Sequence, residues 1–285
     1  MNKVPFPEPP NMGINTWVLE AFHWCRREGL SIVEATQRIT GYEGTLRRPL
    51  KRSEVKRAAE HAYSAKLDKS VHIERKVELP PWNSQETARI FEASGTTVVD
   101  LTVLSPLADP QMIPTREILA TLFPDADGLL CVGKSAFSFK TAPLRDHKFL
   151  VQSQFIVPAY MTATTGLTQD GKVSAHCKAN TGTRRYIVCD FDEPPPDQHA
   201  AIIEHLSKFR PLAMALSSGG KSLHAWFPVT DNANDDRLFW RLCIALGADP
   251  ALYRNHSQFV RIPNGTRDTG KRQYCVYLNP QASTL

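Results

Sequence analysis

No run of apolar residues in this chain approaches the ~18 that a helical membrane span requires. The opening stretch, MNKVPFPEPP, carries a lysine but no apolar segment behind it, so the pattern of a secretory signal is missing. There is no internal repeat and no low-complexity tract. Cys25, Cys131, Cys177, Cys189, Cys243 and Cys275 stand singly, without a Cys-x-x-Cys pair. Close ligand pairs for zinc are therefore lacking, and so is the dense spacing of a disulfide scaffold. A strong excess of one charge is lacking too: 34 Lys and Arg against 29 Asp and Glu leave a net charge of +5. These absences lead to the expectation of a soluble, cytoplasmic protein with buried, reduced thiols and no membrane partner.

What is present is ordinary for a globular chain. The 285 residues are 42% hydrophobic and 22% charged. A chain of this size buries a substantial core, and at roughly 150 residues per domain it implies about two domains. Cations cluster at Arg47, Arg48, Lys51, Arg52, Lys56 and Arg57, again at Arg184 and Arg185, and again at Arg261, Arg267, Lys271 and Arg272. Such clusters suit phosphate contacts. The first cluster fits a solvated helix face equally well.

Hydrophobic periodicity divides the chain near residue 80. Residues 17–25 form an amphipathic stretch ending near Gly29. Ser31 and Glu34 have capping-box spacing and open a second helix that Gly41 closes; Ser53 opens a third. This predicts a helical domain over 1–80, with Glu78-Leu79-Pro80-Pro81-Trp82-Asn83 as a linker, and a second domain over 81–285. In the second domain the pattern predicts helices over 84–93, 115–123, 198–209 and 235–246. Residues 202, 203, 206 and 209 are expected to face inward. Strands are predicted over 97–104, 129–132, 149–157, 185–191, 212–216, 223–227, 259–262 and 273–278, with a hairpin turn over 166–172. Interleaved helices and strands with hairpins indicate an α+β fold on a mixed or antiparallel sheet.

Three motifs carry chemistry. The apolar strand Tyr186-Ile187-Val188-Cys189 runs into Asp190-Phe191-Asp192, and three prolines follow Glu193. On a strand the two carboxylates share a face, about 7 Å apart at Cα. Such a pair suits two divalent cations, which sit about 3.5–4 Å apart around a transferring phosphoryl group. Two solvated acids at a strand exit would look the same. Next, Ser217-Ser218-Gly219-Gly220-Lys221-Ser222-Leu223-His224 offers a glycine turn, then a hydroxyl and an imidazole on one face of the following strand. This set suits a triphosphate. The same segment fits a relaxed Walker A pattern, but that loop needs a helix after its Lys-Ser, and Leu223 to Phe227 alternates like a strand. Last, Arg261-Ile262-Pro263-Asn264-Gly265-Thr266-Arg267 puts two arginines around a turn, suited to charge-assisted bonds with phosphate.

Taken in that order, D-x-D, S-x-H and R-x-P-x-G-T over residues 125–280 resemble the archaeo-eukaryotic primase superfamily. The nearest likeness is to primase-polymerases of phages, plasmids and mobile elements. The resemblance implies an RRM-like catalytic sheet with a smaller α/β subdomain, here preceded by the helical domain. It implies that Asp190 and Asp192 are catalytic and bind Mg²⁺ or Mn²⁺ as a two-metal site. Lys221, Ser222, His224 and Arg261 would hold an NTP or dNTP, and single-stranded DNA would be the template. Arg184, Arg185 and Arg267 are expected along the template path. Lys51 and Arg52 would extend that path or dock a replicative helicase. The superfamily supplies a third carboxylate near its third motif; Asp249, Asp268 and Glu193 are the acids on offer, and Asn264 stands neutral at a tempting position. A replication initiator with a relic nucleotide pocket, a P-loop NTPase and a metal-dependent nuclease remain alternatives.

Overall fold

The computed structural model describes residues 6–7, 14–46, 48–64 and 78–283. The chain divides into two compact units, Met1–Val77 and Glu78–Leu285.

The first unit holds α1 (Ile14–Arg27), α2 (Ile32–Thr40) and α3 (Arg52–Ser64). Ser31 caps α2 reciprocally: its Oγ accepts from the Glu34 N–H, and a Glu34 carboxylate oxygen accepts from the Ser31 N–H at 2.8 Å. The apolar positions of the three helices meet in one cluster that includes Trp17, Phe22, Ile39, Ala59 and Ala62. Arg26 ties α1 to α3 by donating to the Ala62 carbonyl. Arg47 of the basic cluster lies outside the described residues, and Arg48 pairs with Glu54 at 2.8 Å. Lys51 and Arg52 are exposed where α3 begins.

The second unit opens with α4 (Ser84–Ser94), α5 (Val98–Val103) and α6 (Thr115–Leu122). It continues through β1 (Leu129–Ser135), β2 (Ser138–Pro143), β3 (Phe155–Ile156), β4 (Ala159–Met161), β5 (Gly166–Leu167), β6 (Val173–Ser174) and β7 (Thr181–Arg184). Then come β8 (Tyr186–Phe191), α7 (Pro196–Ser207), β9 (Met214–Ser217), β10 (Leu223–Pro228), α8 (Ala233–Ala245), α9 (Ala251–Arg254), β11 (Val260–Arg261) and β12 (Tyr274–Leu278). The unit is α+β with antiparallel pairing throughout its sheets. One sheet runs β11-β3-β1-β4-β7 with β2 joined to β1, and a second runs β12-β9-β10-β8. In the second sheet β8 and β9 run parallel with β10 between them, and α7 links them, which is a split βαβ unit.

Three expectations need correction. Residues 97–104 form helix α5, not a strand. The Thr97–Asp100 capping box holds its first turn, and the β-branched residues that suggested a strand, such as Val99 and Val103, lie exposed. Residues 149–157 are broken: a short 3-10 turn over Leu150–Gln152 precedes β3, because Leu150 turns inward between exposed Phe149 and Val151. Phe209 lies past the end of α7 and is exposed, while Ile202, Ile203 and Leu206 are buried as expected.

Strand β8 is central to the core. Tyr186, Ile187, Val188, Cys189 and Phe191 are all fully buried. Both faces are covered, so the strand reads as a continuous apolar run rather than an alternation. Asp190 is the first acid to break that run. Pro196 then starts α7, where a missing N–H costs nothing.

Candidate active site

Asp190 pairs in register with His224 of β10. Direct antiparallel partners project to one face. Carboxylate and imidazole therefore meet, with Asp190 Oδ1 3.3 Å from His224 Nε2. The imidazole is buried, and neither Asp190 Oδ1 nor His224 Nδ1 has a hydrogen-bond partner. Burial pushes the Asp190 carboxyl up to about 7, and the negative charges of Asp192 and Asp249 add to the rise, against Arg261 and Ser222. Burial also pulls His224 down to about 3, helped by Arg261. At neutral pH the imidazole is uncharged.

Asp192 lies just beyond the last residue of β8 and is exposed. Asp249 arrives from a distant part of the chain. Ala248 bridges Phe191, and the Asp249 N–H donates to the Asp190 carbonyl at 2.9 Å, so this segment runs along the free edge of β8. The Asp249 carboxylate accepts from the Ala251 N–H at 2.8 Å. Asp190, Asp192, Glu193 and Asp249 line a cavity of about 490 Å³ together with Trp82. Among the described residues no group of three or more His, Cys, Asp or Glu side chains is preassembled around a metal position. The donor chemistry nevertheless fits a hard cation. The site has acidic oxygens, one of them buried and unpartnered, and its central carboxyl is raised by burial and by the neighbouring charges of Asp192 and Asp249.

The glycine turn joins β9 to β10. Gly219 has φ +74°, and a Cβ there would sit 2.6 Å from the Arg272 carbonyl oxygen, so backbone passes where a side chain cannot. Ser222 is buried and its Oγ donates to Ser218 Oγ at 2.8 Å. Lys221 reaches across to Glu193 at 2.6 Å, both side chains exposed. Because β10 follows Ser222 directly, the helix that a Walker A loop requires is replaced by a strand.

Arg261 stands half-buried on β11 with its guanidinium carbon 4.6 Å from the Phe155 ring centroid. Its Nη1 donates to Gln154 Oε1 at 3.5 Å, and Gln154 Nε2 donates to the Lys134 carbonyl at 2.7 Å. Its charge is felt at both Asp190 and His224. Arg267 was expected on the template path. It instead packs against the glycine turn, its Nη1 3.5 Å from the Ser218 carbonyl oxygen and its Nε buried without a partner.

Comparisons with protein families, curated proteins and solved structures return no match for this chain.

Other expected residues lie elsewhere. Arg184 and Arg185 precede β8, at the end opposite Asp190, and the strand from Tyr186 to Asp190 alone spans about 13 Å. Arg184 donates to the Asn255 carbonyl and lies over Trp240; burial pulls its guanidinium down to about 10. Arg185 donates to the Leu122 and Ser283 carbonyls. The structure gives both arginines structural partners and does not bring them to the acidic cluster. Asn264 is no metal ligand either. It is buried with φ 53°, donating to the Pro110 and Ile113 carbonyls and accepting from the Cys275 N–H. Sequence reasoning missed Gln154, which carries no local signal, and His199 of α7. His199 is fully buried, stacks on Phe191 at 5.7 Å and has no hydrogen-bond partner.

Proposed function

We propose that the larger unit is a DNA primase-polymerase of the archaeo-eukaryotic primase type. It would transfer nucleotides from an NTP or dNTP onto a strand templated by single-stranded DNA. The observation that carries this reading is the registered Asp190–His224 pair, with Arg261 near enough to shift both. An acidic strand end beside an imidazole and cations is what a triphosphate and its counter-ions need. The split βαβ unit supports the RRM-like assignment. One feature departs from a plain RRM order: β12 lies beside β9 rather than beside β8.

Asp190 and Asp192 would hold Mg²⁺ or Mn²⁺, with Asp249 as the third carboxylate. Bound there, the ions would supply polarisation of the attacking oxygen and charge neutralisation of the leaving pyrophosphate. The chain's own residues position the reactants. Arg261, Arg267 and Lys221 orient the triphosphate by charge-assisted bonds, Lys221 after leaving Glu193. Ser222 and the neutral His224 add uncharged donors. The 3′-hydroxyl oxygen would attack the α-phosphorus as its proton passes to solvent water, the bond to the β-phosphate bridge would break, and pyrophosphate would leave. His224 is too weak a base to take the hydroxyl proton, since burial holds it near 3. Lys51 and Arg52 of the helical unit serve as further strand contacts or a helicase dock in this reading.

A second reading, a replication initiator with little catalysis, is favoured by one observation. The Asp249 carboxylate is already engaged by the Ala251 N–H. Nucleotide incorporation on single-stranded DNA, with and without a primer, in Mg²⁺ or Mn²⁺, separates the two. The expected result is product that disappears in the Asp190→Ala, Asp192→Ala double variant. Strand binding without product from the wild-type chain would overturn the polymerase reading.

A further inference from the structure

The β1–β2 hairpin carries a surface that none of the three motifs uses. Lys134, Lys140, Lys148 and Phe149 line one cavity of about 260 Å³, with Asp146 as the acid among its lining residues. The Lys134 ammonium lies 5.2 Å from the Phe149 ring centroid. Phe149 is 57% exposed, and Phe137 at the hairpin tip is 97% exposed.

The surface is held rigidly. Lys140 Nζ donates to the Asp146 carbonyl at 2.9 Å. Arg116 of α6 donates to the Leu144 and His147 carbonyls, which fixes the turn before Phe149. His147 Nε2 sits between the Leu130 and Ala142 carbonyl oxygens, 3.1 Å from each. It is also near the candidate active site. Gly133 pairs with Phe155, and Phe155 with Arg261, so β1 near the hairpin tip lies two strands, about 10 Å, from Arg261 at Cα. Gln154 spans that gap, bonded to the Lys134 carbonyl on one side and to the Arg261 guanidinium on the other.

We propose that this hairpin surface binds a single strand of DNA. Phe137 and Phe149 stack on bases, and Lys134, Lys140 and Lys148 meet phosphates. Only unpaired bases offer their faces to such rings. A phosphate backbone also supplies one negative charge per nucleotide to the clustered ammonium groups, which an apolar protein partner would leave unpaired. That this strand is the template on its way to Arg261 rests on the polymerase reading; strand binding itself does not.

The test is fluorescence anisotropy of a labelled oligothymidylate with the full chain, without nucleotide or divalent cation, over a range of salt. Phe137→Ala and Phe149→Ala should each weaken binding about tenfold, within the range that base–aromatic stacking spans. Phe137 is so exposed that its removal leaves the fold untouched. The triple change Lys134→Gln, Lys140→Gln, Lys148→Gln should flatten the logarithmic salt slope by about two, at ~0.7 per phosphate contact. Wild-type affinity in both Phe137→Ala and the triple variant would overturn the proposal. So would duplex DNA bound as tightly and weakened as much by Phe137→Ala. The incorporation assay separates this from the larger reading. If the wild type makes no product yet the variants lose strand binding, the polymerase reading fails and the surface stands. If the wild type makes product and the variants bind as it does, the surface fails and the polymerase reading stands.

Discussion

Asp190 Oδ1 faces His224 Nε2 at 3.3 Å across adjacent strands, and burial drives both toward their neutral forms. The pair is not a salt bridge at neutral pH. It is a poised acid beside an uncharged donor, and the positive charge it lacks is what a divalent cation would bring.

Without divalent cation, the raised Asp190 carboxyl makes stability depend on pH. Its folded value of about 7 exceeds the unfolded value near 3.8, so the folded state binds the proton more tightly. The stabilising contribution is full below about pH 4 and is lost as pH rises through about 7. Asp190→Asn should therefore stabilise the protein at pH 8 in EDTA by at most the ~4 kcal/mol that such a shift represents, read as a higher melting temperature. The gain should vanish at pH 4. Mg²⁺ at pH 8 should stabilise the wild type but not the variant. Equal melting curves for the two proteins at pH 8 in EDTA would remove this account of Asp190.

Gln154 is a positioning residue, bonded to the Arg261 guanidinium and to the Lys134 carbonyl. Gln154→Leu should raise the KM for nucleotide several-fold, in line with losing about 1 kcal/mol of a hydrogen bond to a charged group, and change kcat less. Steady-state incorporation over a nucleotide series checks this. An unchanged KM would show that Arg261 is held by Phe155 alone.

Arg185→Ala removes the donor to the Leu122 and Ser283 carbonyls. The Leu122 carbonyl keeps the Tyr186 hydroxyl at 2.7 Å, so the Ser283 carbonyl is the acceptor left unpaired, which should cost roughly 1–3 kcal/mol. A lower melting temperature with unchanged affinity for single-stranded DNA is the expected outcome. Lost affinity at an unchanged melting temperature would return Arg185 to the strand-binding surface.

Neither ring nitrogen of buried His199 is hydrogen-bonded, and burial pulls it down to about 4, against the pull of Glu193. Its unfolded value is near 6.5, so folding resists its protonation. That contribution is present above about pH 6.5 and lost as pH falls through about 4. His199→Phe, which keeps the stack on Phe191, should gain more stability at pH 5 than at pH 8. Denaturant midpoints at the two pH values measure it, and an equal gain at both would refute the titration.

Much of the local structure was legible in the residues. Ser31 and Glu34 announced α2 because a capping box is a contact over three residues. The same signal stood at Thr97 and Asp100, where the β-branched run Thr96-Thr97-Val98-Val99 pointed to a strand instead. There the cap prevailed over propensity, which is the weaker constraint when the side chains lie in solvent. That Ser222 and His224 share a face was also legible, because side chains alternate along a strand; that His224 meets Asp190 was set by the pairing of β8 with β10.

The sequence by itself determined the acidic end of a buried strand, the glycine turn and the arginine after it. Each depends on neighbours a few residues apart. Tertiary structure alone decided which distant groups joined them. Asp249 reaches Asp190 through pairing along the edge of β8, and Gln154 reaches Arg261 across two strands. Arg184 and Arg185 look like any basic pair in the chain, yet they turn to buried carbonyls. The reason is physical. A local pattern sets the direction a side chain takes, but its partner is set by which buried polar groups are left to satisfy once the layers have packed.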